Sequence, residues 1–174
     1  ITGLKISETD VDNNLTTEYY YDELGRPNLT IGPDGIQNMT TFHWNDGHDD
    51  APSGSHTYKI QQTSGVPELI TFYDLYGKEL RTVSIDFNGN KIYSDKEYND
   101  KDQLIRSSLS YKSTQTPKWN TVTYVSDGMV DQETAADGSY VKYEYWFSPD
   151  VKVKTTIGKN SVDFGGGGPS DATA

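Results

Sequence analysis

An aromatic residue opens the same short phrase at five places along the chain, and this repeat constrains the fold more than any other feature. The phrase is tyrosine or tryptophan, an acidic or amide residue in most copies, variable positions and then a turn residue. Its copies begin at Tyr21, Trp44, Tyr73, Tyr98 and Tyr124. A unit that recurs every roughly 25 residues is typically one supersecondary element copied along the chain. The repeat therefore predicts an array of like units, but it specifies no reaction.

Two kinds of turn signal alternate in this array. The fullest phrases are 21–26 (YDELGR) and 73–78 (YDLYGK), and Asp-Gly or Asn-Gly dipeptides ending at Gly35 and Gly89 lie between the phrases. Asp or Asn followed by glycine favours a tight hairpin, because glycine tolerates positive φ. We expect each Tyr-Asp phrase to close one end of a hairpin and each dipeptide the other. The predicted structural turn residues are Tyr21, Asp22, Gly25, Arg26, Gly35, Tyr73, Asp74, Gly77, Lys78 and Gly89.

The arms between the turns alternate apolar and polar residues. Val141, Tyr143 and Tyr145 share one parity, with Lys142 and Glu144 on the other. A period of two with polar partners is typical of an antiparallel sheet buried on one face. We therefore predict an all-β fold, an antiparallel meander of repeated β-hairpins in a curved or wrapped sheet. The predicted strands lie near 15–21, 28–32, 36–44, 56–62, 68–73, 79–87, 91–98, 104–111, 119–125, 129–134, 139–147 and 151–157.

Two stretches interrupt the rhythm of strands and turns. Residues 45–55 (NDGHDDAPSGS) are polar and rich in turn residues, which predicts a solvated insertion loop at a hairpin tip. Residues 158–174 contain a run of four glycines and read as a glycine-rich tail or linker. The expected organisation is a hairpin array over 1–157 followed by this tail.

The phrase resembles the YD repeat, the tyrosine-aspartate element of Rhs proteins, of bacterial toxin-complex shells and of wall-associated bacterial surface proteins. The segment 21–35 (YDELGRPNLTIGPDG) matches the family pattern almost throughout, and 73–89 matches with a longer arm. The resemblance implies a fragment of a secreted or cell-surface protein that encloses, displays or spaces another module. It also implies that the other parts of a larger parent chain are the partners. The self-cleaving motif that ends full Rhs shells is not visible.

Composition and charge exclude several function classes. The net charge is −11 and the pI about 4.5, so no basic stripe is available to neutralise a nucleic acid. No apolar run approaches the length of a membrane span, and cysteine is absent. Because the chain begins at Ile1 without a signal sequence, we expect a processed or excised piece. The extracellular location is therefore an expectation from the resemblance alone.

Catalytic and metal-binding patterns are weak. No Gly-x-Ser-x-Gly elbow occurs and no carboxylate pair stands out, so we expect no enzyme and no cofactor. His43, Asp46, His48 and His56 cluster near the insertion loop, but their spacing matches no ligand signature. His43, His48 and Asp46 are weak metal candidates, and a solvated loop is the favoured interpretation. The segment beginning at Asp10 only faintly resembles a calcium loop, since the glycine and glutamate positions of an EF-hand are not filled.

The alternative function is a carbohydrate- or cell-surface-binding module. Trp44, Trp119 and Trp146 are the candidate sugar-binding residues, because an exposed aromatic ring can stack on a sugar face. Trp146 has the opposite parity to Tyr143 and Tyr145, which places it on the polar face of the predicted sheet. The competing interpretation is that these rings only cover a thin sheet.

Overall fold

The computed structural model describes residues 3–147 and 152–159, and every regular element in that part of the chain is a β-strand. The strands pair as antiparallel neighbours, which confirms the predicted all-β meander of hairpins. None of the described residues belongs to a helix that could cross a membrane. The strands are β1 (Ser7–Asp10), β2 (Leu15–Tyr21), β3 (Pro27–Ile31), β4 (Gln37–Trp44), β5 (Thr57–Thr63), β6 (Val66–Tyr73), β7 (Glu79–Ile85), β8 (Lys91–Tyr98), β9 (Leu104–Ser108), β10 (Tyr111–Lys112), β11 (Trp119–Tyr124), β12 (Val130–Thr134), β13 (Ser139–Trp146) and β14 (Lys152–Lys159).

The chain divides into two compact units. The first contains the residues up to Glu97 together with Ser108–Pro117, and the second contains Tyr98–Ser107 and the residues from Lys118 onward. In the first unit, β1 to β8 follow one another in sheet order, and β10 pairs with β8 at Tyr93 and Ile92. In the second unit the order is β9, β11, β12, β13, β14.

The core of the first unit lies on one face of β5 to β8. Ile70, Phe72 and Val83 are buried there, and Phe72 is completely inaccessible to solvent. The strand register places two parallel rows of side chains on this face, because residues opposite one another on neighbouring strands point to the same side. One row runs through His43, Tyr58, Phe72, Arg81 and Asp95, and the other through Thr41, Ile60, Ile70, Val83 and Tyr93.

In the second unit, β13 has an apolar face with Val141, Tyr143 and Tyr145 and a more polar face opposite. Tyr143 and Tyr145 stack with ring centroids 6.5 Å apart on the apolar face. Lys142, Glu144 and Trp146 lie on the other face, as their alternation along β13 predicts. The expected parity of Trp146 therefore agrees with the structure.

Several predicted boundaries differ from the structure. β1 was not predicted, because its residues 7–10 (SETD) carry no apolar alternation and are all exposed. The predicted strand 79–87 ends at Ile85, and Phe87 is fully exposed in the following turn. The predicted strand 104–111 is divided between β9 and β10. β14 continues to Lys159, so only residues 160–174 of the predicted tail lie outside the described residues.

Candidate functional site

Both classes of turn signal form the same backbone turn. In each of seven turns, the N–H of the first residue donates to the carbonyl of the fifth, and the N–H of the fourth donates to the carbonyl of the first. The first residues are Asp22, Gly32, Asp74, Asp86, Asn99, Val125 and Ala135. The fourth residues all have positive φ, and they are Gly25, Gly35, Gly77, Gly89, Asp102, Gly128 and Gly138. The expectation of two alternating turn types is thus corrected to one repeated five-residue turn.

The aspartate of the Tyr-Asp phrase holds this turn with its carboxylate. Oδ1 of Asp22 accepts from the N–H groups of Leu24 and Arg26, both at 2.9 Å, and Oδ2 accepts from Nε of Arg26 at 2.6 Å. The N–H of Arg26 is the largest of several contacts that hold the pKa of Asp22 below its ordinary value. The Arg26 guanidinium also lies 4.4 Å from the ring centroid of Phe42. The carboxylate and the cation of the phrase are therefore both engaged in the turn and its neighbouring strands.

The second strong copy repeats this arrangement. Oδ1 of Asp74 accepts from the N–H groups of Tyr76 at 2.9 Å and Lys78 at 2.8 Å, and Nζ of Lys78 lies 3.4 Å from Oδ2. Burial raises the pKa of the Asp74 carboxyl, but these hydrogen bonds outweigh it and keep the pKa low. A carboxylate with this many fixed donors is well suited to holding a turn and poorly suited to proton transfer.

Asp86 has the same role, although it was not among the predicted turn residues. Its Oδ1 accepts from the N–H groups of Asn88 at 2.8 Å and Asn90 at 2.9 Å, and its Oδ2 lies 2.8 Å from Nζ of Lys112. These contacts lower the pKa of Asp86, and the hydrogen bond from Lys112 has the largest effect. The available signal was spacing, since Asp86 precedes Gly89 by the same interval that separates Asp74 from Gly77.

The tyrosine of the phrase packs beside the turn and ends on a polar partner. The Tyr21 hydroxyl donates to the carbonyl of Lys5 at 2.7 Å, and the Tyr124 hydroxyl donates to the carbonyl of Leu104 at 2.7 Å. Tyr73 is half-buried, and Nζ of Lys59 lies 5.8 Å from its ring centroid. These contacts join the phrases at Tyr21, Tyr73 and Tyr124 to a more distant part of the same unit.

The loop between β4 and β5 (residues 45–56, the β4–β5 loop) docks on the core face of the first unit. The expectation of a solvated loop holds for only part of it, because Asp46, Gly47, Asp49, Ser53 and Gly54 are exposed but Asp50 is only 7% exposed. Its carboxylate accepts from Nζ of Lys91 at 2.6 Å and from the hydroxyl of Tyr93 at 2.8 Å. The His48 ring lies edge-on to Tyr58 and Phe72, with centroids 5.0 and 5.1 Å away. The loop therefore covers the buried side chains that would otherwise face water.

Electrostatics hold the docked loop in place. Burial raises the pKa of the Asp50 carboxyl, but the hydrogen bonds from Lys91 and Tyr93 outweigh burial and lower the pKa. Asp50 in turn raises the pKa of Lys91 through the same hydrogen bond. The backbone carbonyl of Asp50 also accepts from Nη1 of Arg81 at 3.0 Å. Asp50 is thus the residue through which β7 and β8 bind the loop.

Arg81 belongs to a second polar cluster next to the loop. Its guanidinium donates to both carboxylate oxygens of Asp95, at 2.6 and 2.9 Å, and to the hydroxyl of Tyr111 at 3.2 Å. Tyr111 donates to Asp95 at 2.6 Å, and burial together with this bond raises the pKa of Tyr111 to about 12. An open cavity of about 260 Å³ lies beside the cluster, lined also by Asp49 and Ser113. Its charged groups are paired with one another, which favours a structural role over catalysis.

Of the three tryptophans proposed for sugar binding, Trp44 lies in the first unit, and Trp119 and Trp146 lie in the second. Trp44 is 78% exposed at the end of β4, and Trp146 is 45% exposed on the polar face of β13. Trp119 is half-buried, and the Arg106 guanidinium lies 4.3 Å from its ring centroid. Sugar binding by Trp44, Trp119 and Trp146 stays a prediction.

The histidines and Asp46 do not form a ligand set. His43 stacks on Tyr58 at 4.8 Å, and Nδ1 of His48 accepts from the N–H of Asp50. Nδ1 of His56 lies 3.1 Å from the carbonyl oxygen of Gly54. Within residues 3–147 and 152–159, no group of three or more His, Cys, Asp or Glu side chains is placed to hold a metal ion.

Comparisons with known proteins identify no family for this chain. No family model matches the chain, and no curated protein sequence matches it. A solved structure titled "Crystal Structure of TcdB2-TccC3-Cdc42" is similar to it, with 13% sequence identity and a TM-score of 0.45. The match covers 88% of this chain and 9% of that chain, so this chain spans less than a tenth of its length.

Proposed function

We propose that the protein is a non-catalytic structural repeat segment of a YD-repeat, Rhs-like surface or secreted protein. It scaffolds, encloses or displays another module of a larger parent chain. Two observations support this proposal: one turn recurs at seven places among the described residues, and Asp22 and Asp74 of the two full Tyr-Asp phrases accept hydrogen bonds within it. In repeat proteins, such residues stabilise each unit and its contact with the next.

The arrangement of polar groups supports a non-catalytic role. A general acid or base needs a pKa near the operating pH and an open path to a substrate. The pKa values of Asp22, Asp50 and Asp74 are instead held low by fixed donors. Asp95, another half-buried carboxylate of the first unit, is paired with Arg81. These carboxylates therefore stabilise the sheet.

Hydrogen exchange and activity measurements together test this proposal. A scaffold built from hairpins should show protection that differs from hairpin to hairpin, with the strands around β6 to β8 exchanging last. The purified protein should also fail to hydrolyse glycoside, ester, peptide and phosphoester substrates. A turnover abolished by substituting one carboxylate would contradict the non-catalytic role. Uniform protection over all the described strands would contradict the repeat-by-repeat stability.

The extracellular location is part of the same proposal. Antibodies against the purified chain should label intact cells that produce the parent protein, without permeabilisation. Labelling that requires permeabilisation would refute a surface location. The scaffold role is tested separately, by hydrogen exchange.

A further inference from the structure

Among the described residues, β14 forms one edge of the sheet of the second unit, and it presents three lysines together with Val153 and Ile157. It pairs with β13 over eight residues, from Lys152 opposite Trp146 to Lys159 opposite Ser139. All its residues except Gly158 are exposed. Within the described residues, β14 is the last strand of the sheet order. A strand edge of this kind offers backbone N–H and C=O groups to a further strand.

We propose that β14 is a docking edge for a partner segment in which acidic and apolar residues alternate, and that the segment adds to the sheet as an antiparallel strand. Successive side chains of a strand point to opposite faces, so the two faces of β14 specify the two alternating positions of the partner. This inference rests on the strands of the second unit and does not depend on the scaffold proposal.

One face of β14 specifies the acidic positions. Lys152 and Lys154 lie two residues apart on this face, and Lys154 is 59% exposed. Nζ of Lys154 lies 3.1 Å from the Glu144 carboxylate of β13, so an acidic residue on the partner would extend a row of alternating charge across three strands. Opposite charges facing each other on neighbouring strands stabilise their pairing.

The other face specifies the apolar positions. Val153 is 52% exposed and Ile157 is 79% exposed, opposite Tyr145 and Val141 of β13. The apolar row of Val141 and Ile157 continues into an open groove of about 390 Å³. An apolar side chain on the partner would extend this row and remove part of its surface from water.

The charge of β14 also disfavours pairing with a copy of itself. The segment 152–159 (KVKTTIGK) contains three lysines and no acidic residue, although the chain as a whole has a net charge of −11. Two such edges would place lysines opposite lysines, and like charges facing across strands are destabilising. Lysine on an edge strand is a common device against self-association. The same lysines attract an acidic strand.

Two peptides of about eight residues, the length of β14, test the proposal. In one peptide valine alternates with glutamate, and in the other valine alternates with lysine. In calorimetric titration at low salt, the glutamate peptide should bind at least about tenfold more tightly than the lysine peptide, because two facing charge pairs change from attractive to repulsive. High salt should reduce this difference. Backbone amides of alternate β14 residues should become protected from hydrogen exchange only when the glutamate peptide is bound.

Charge reversal provides the control. The double variant Lys152→Glu/Lys154→Glu should prefer the lysine peptide, and Lys152→Gln/Lys154→Gln should show no preference, while Lys118→Glu, outside β14, should behave like the unchanged protein. Equal binding of both peptides, or no binding of either, would overturn the proposal. If a peptide binds but the β14 amides are not protected, the side chains alone attract the peptide, and the proposed strand addition is overturned. Sedimentation velocity tests whether the protein associates with itself. A dimer that forms in the unchanged protein and not in the double charge-reversal variant would show that β14 pairs with a second copy of the chain, and would overturn the proposal.

Discussion

Replacing Asp50 with alanine tests whether the β4–β5 loop is a docked part of the core. The substitution removes a carboxylate that is only 7% exposed, together with its hydrogen bonds from Lys91 and Tyr93. Hydrogen bonds to charged groups contribute about 1.5–3 kcal/mol each, but releasing a buried carboxylate recovers part of its desolvation cost. Lys91 is 50% exposed and can return to water. We therefore expect Asp50→Ala to lower the free energy of unfolding by about 2–3 kcal/mol.

Three further substitutions make the Asp50 measurement specific. Asp50→Asn keeps an acceptor for the Tyr93 hydroxyl and loses the charge pair with Lys91, so it should cost less than Asp50→Ala. Asp49→Ala removes the neighbouring acid, which is exposed, and should change stability by less than about 0.5 kcal/mol. A double-mutant cycle with Lys91→Ala should give a coupling free energy of at least about 0.5 kcal/mol, since the two groups are in contact.

Urea unfolding monitored by tryptophan fluorescence, combined with hydrogen exchange of residues 45–56, measures these effects. The docked loop should be protected in the unchanged protein and should exchange faster in Asp50→Ala. Equal stability of Asp50→Ala and Asp49→Ala, with loop amides that already exchange at the rate of an unstructured peptide, would refute the docking. The solvated loop that the sequence suggests would then be correct.

Three other predictions follow from the turns and the buried carboxylates. Gly77→Val should lower stability by about 1–3 kcal/mol in urea unfolding, because Gly77 has φ of 81°. Asp74→Ala should cost about 1–2 kcal/mol and Asp74→Asn much less, because Asn99 makes the equivalent bonds with its amide oxygen; equal losses would show that only the charge matters. The pKa values of Asp50 and Asp95 are lowered in the folded protein, so their contribution is present above pH about 4 and is lost as pH falls through the folded pKa. Stability that is unchanged between pH 5 and pH 2 would contradict this assignment.

Local sequence signals were sufficient for most strands and turns. Alternating residues fix the register of a strand, and a glycine at a positive-φ position fixes the turn, so both are visible within a few residues. β1 lacked such a signal, because its polar residues contribute backbone pairing with β2 and no apolar contact. Phe87 was misplaced for a related reason, since its parity continues that of Val83 and Ile85 although the Asp86 turn has already begun.

The candidate site was much less predictable than the fold. Asp50 contacts residues far along the chain, 41 positions away at Lys91 and 43 at Tyr93. Nothing within the segment 45–55 distinguishes an aspartate that will be buried from its exposed neighbours Asp46 and Asp49. The sequence composition correctly indicated a polar loop. Polarity alone could not show that Asp50 of this loop is buried and bonded to Lys91 and Tyr93 of β8.

The shared turn explains why worn copies of the phrase still function as repeats. The geometry requires a positive-φ residue at the fourth position, and an acceptor side chain at the first position strengthens it. The copy after Tyr98 meets both requirements with Asn99 and Asp102, and the copy after Tyr124 keeps only Gly128. The copy at Trp44 leads instead into the β4–β5 loop, where the N–H of Asn45 donates to the carbonyl of His56. The turn therefore requires few particular residues, so copies that differ in most of their sequence still share one backbone pattern.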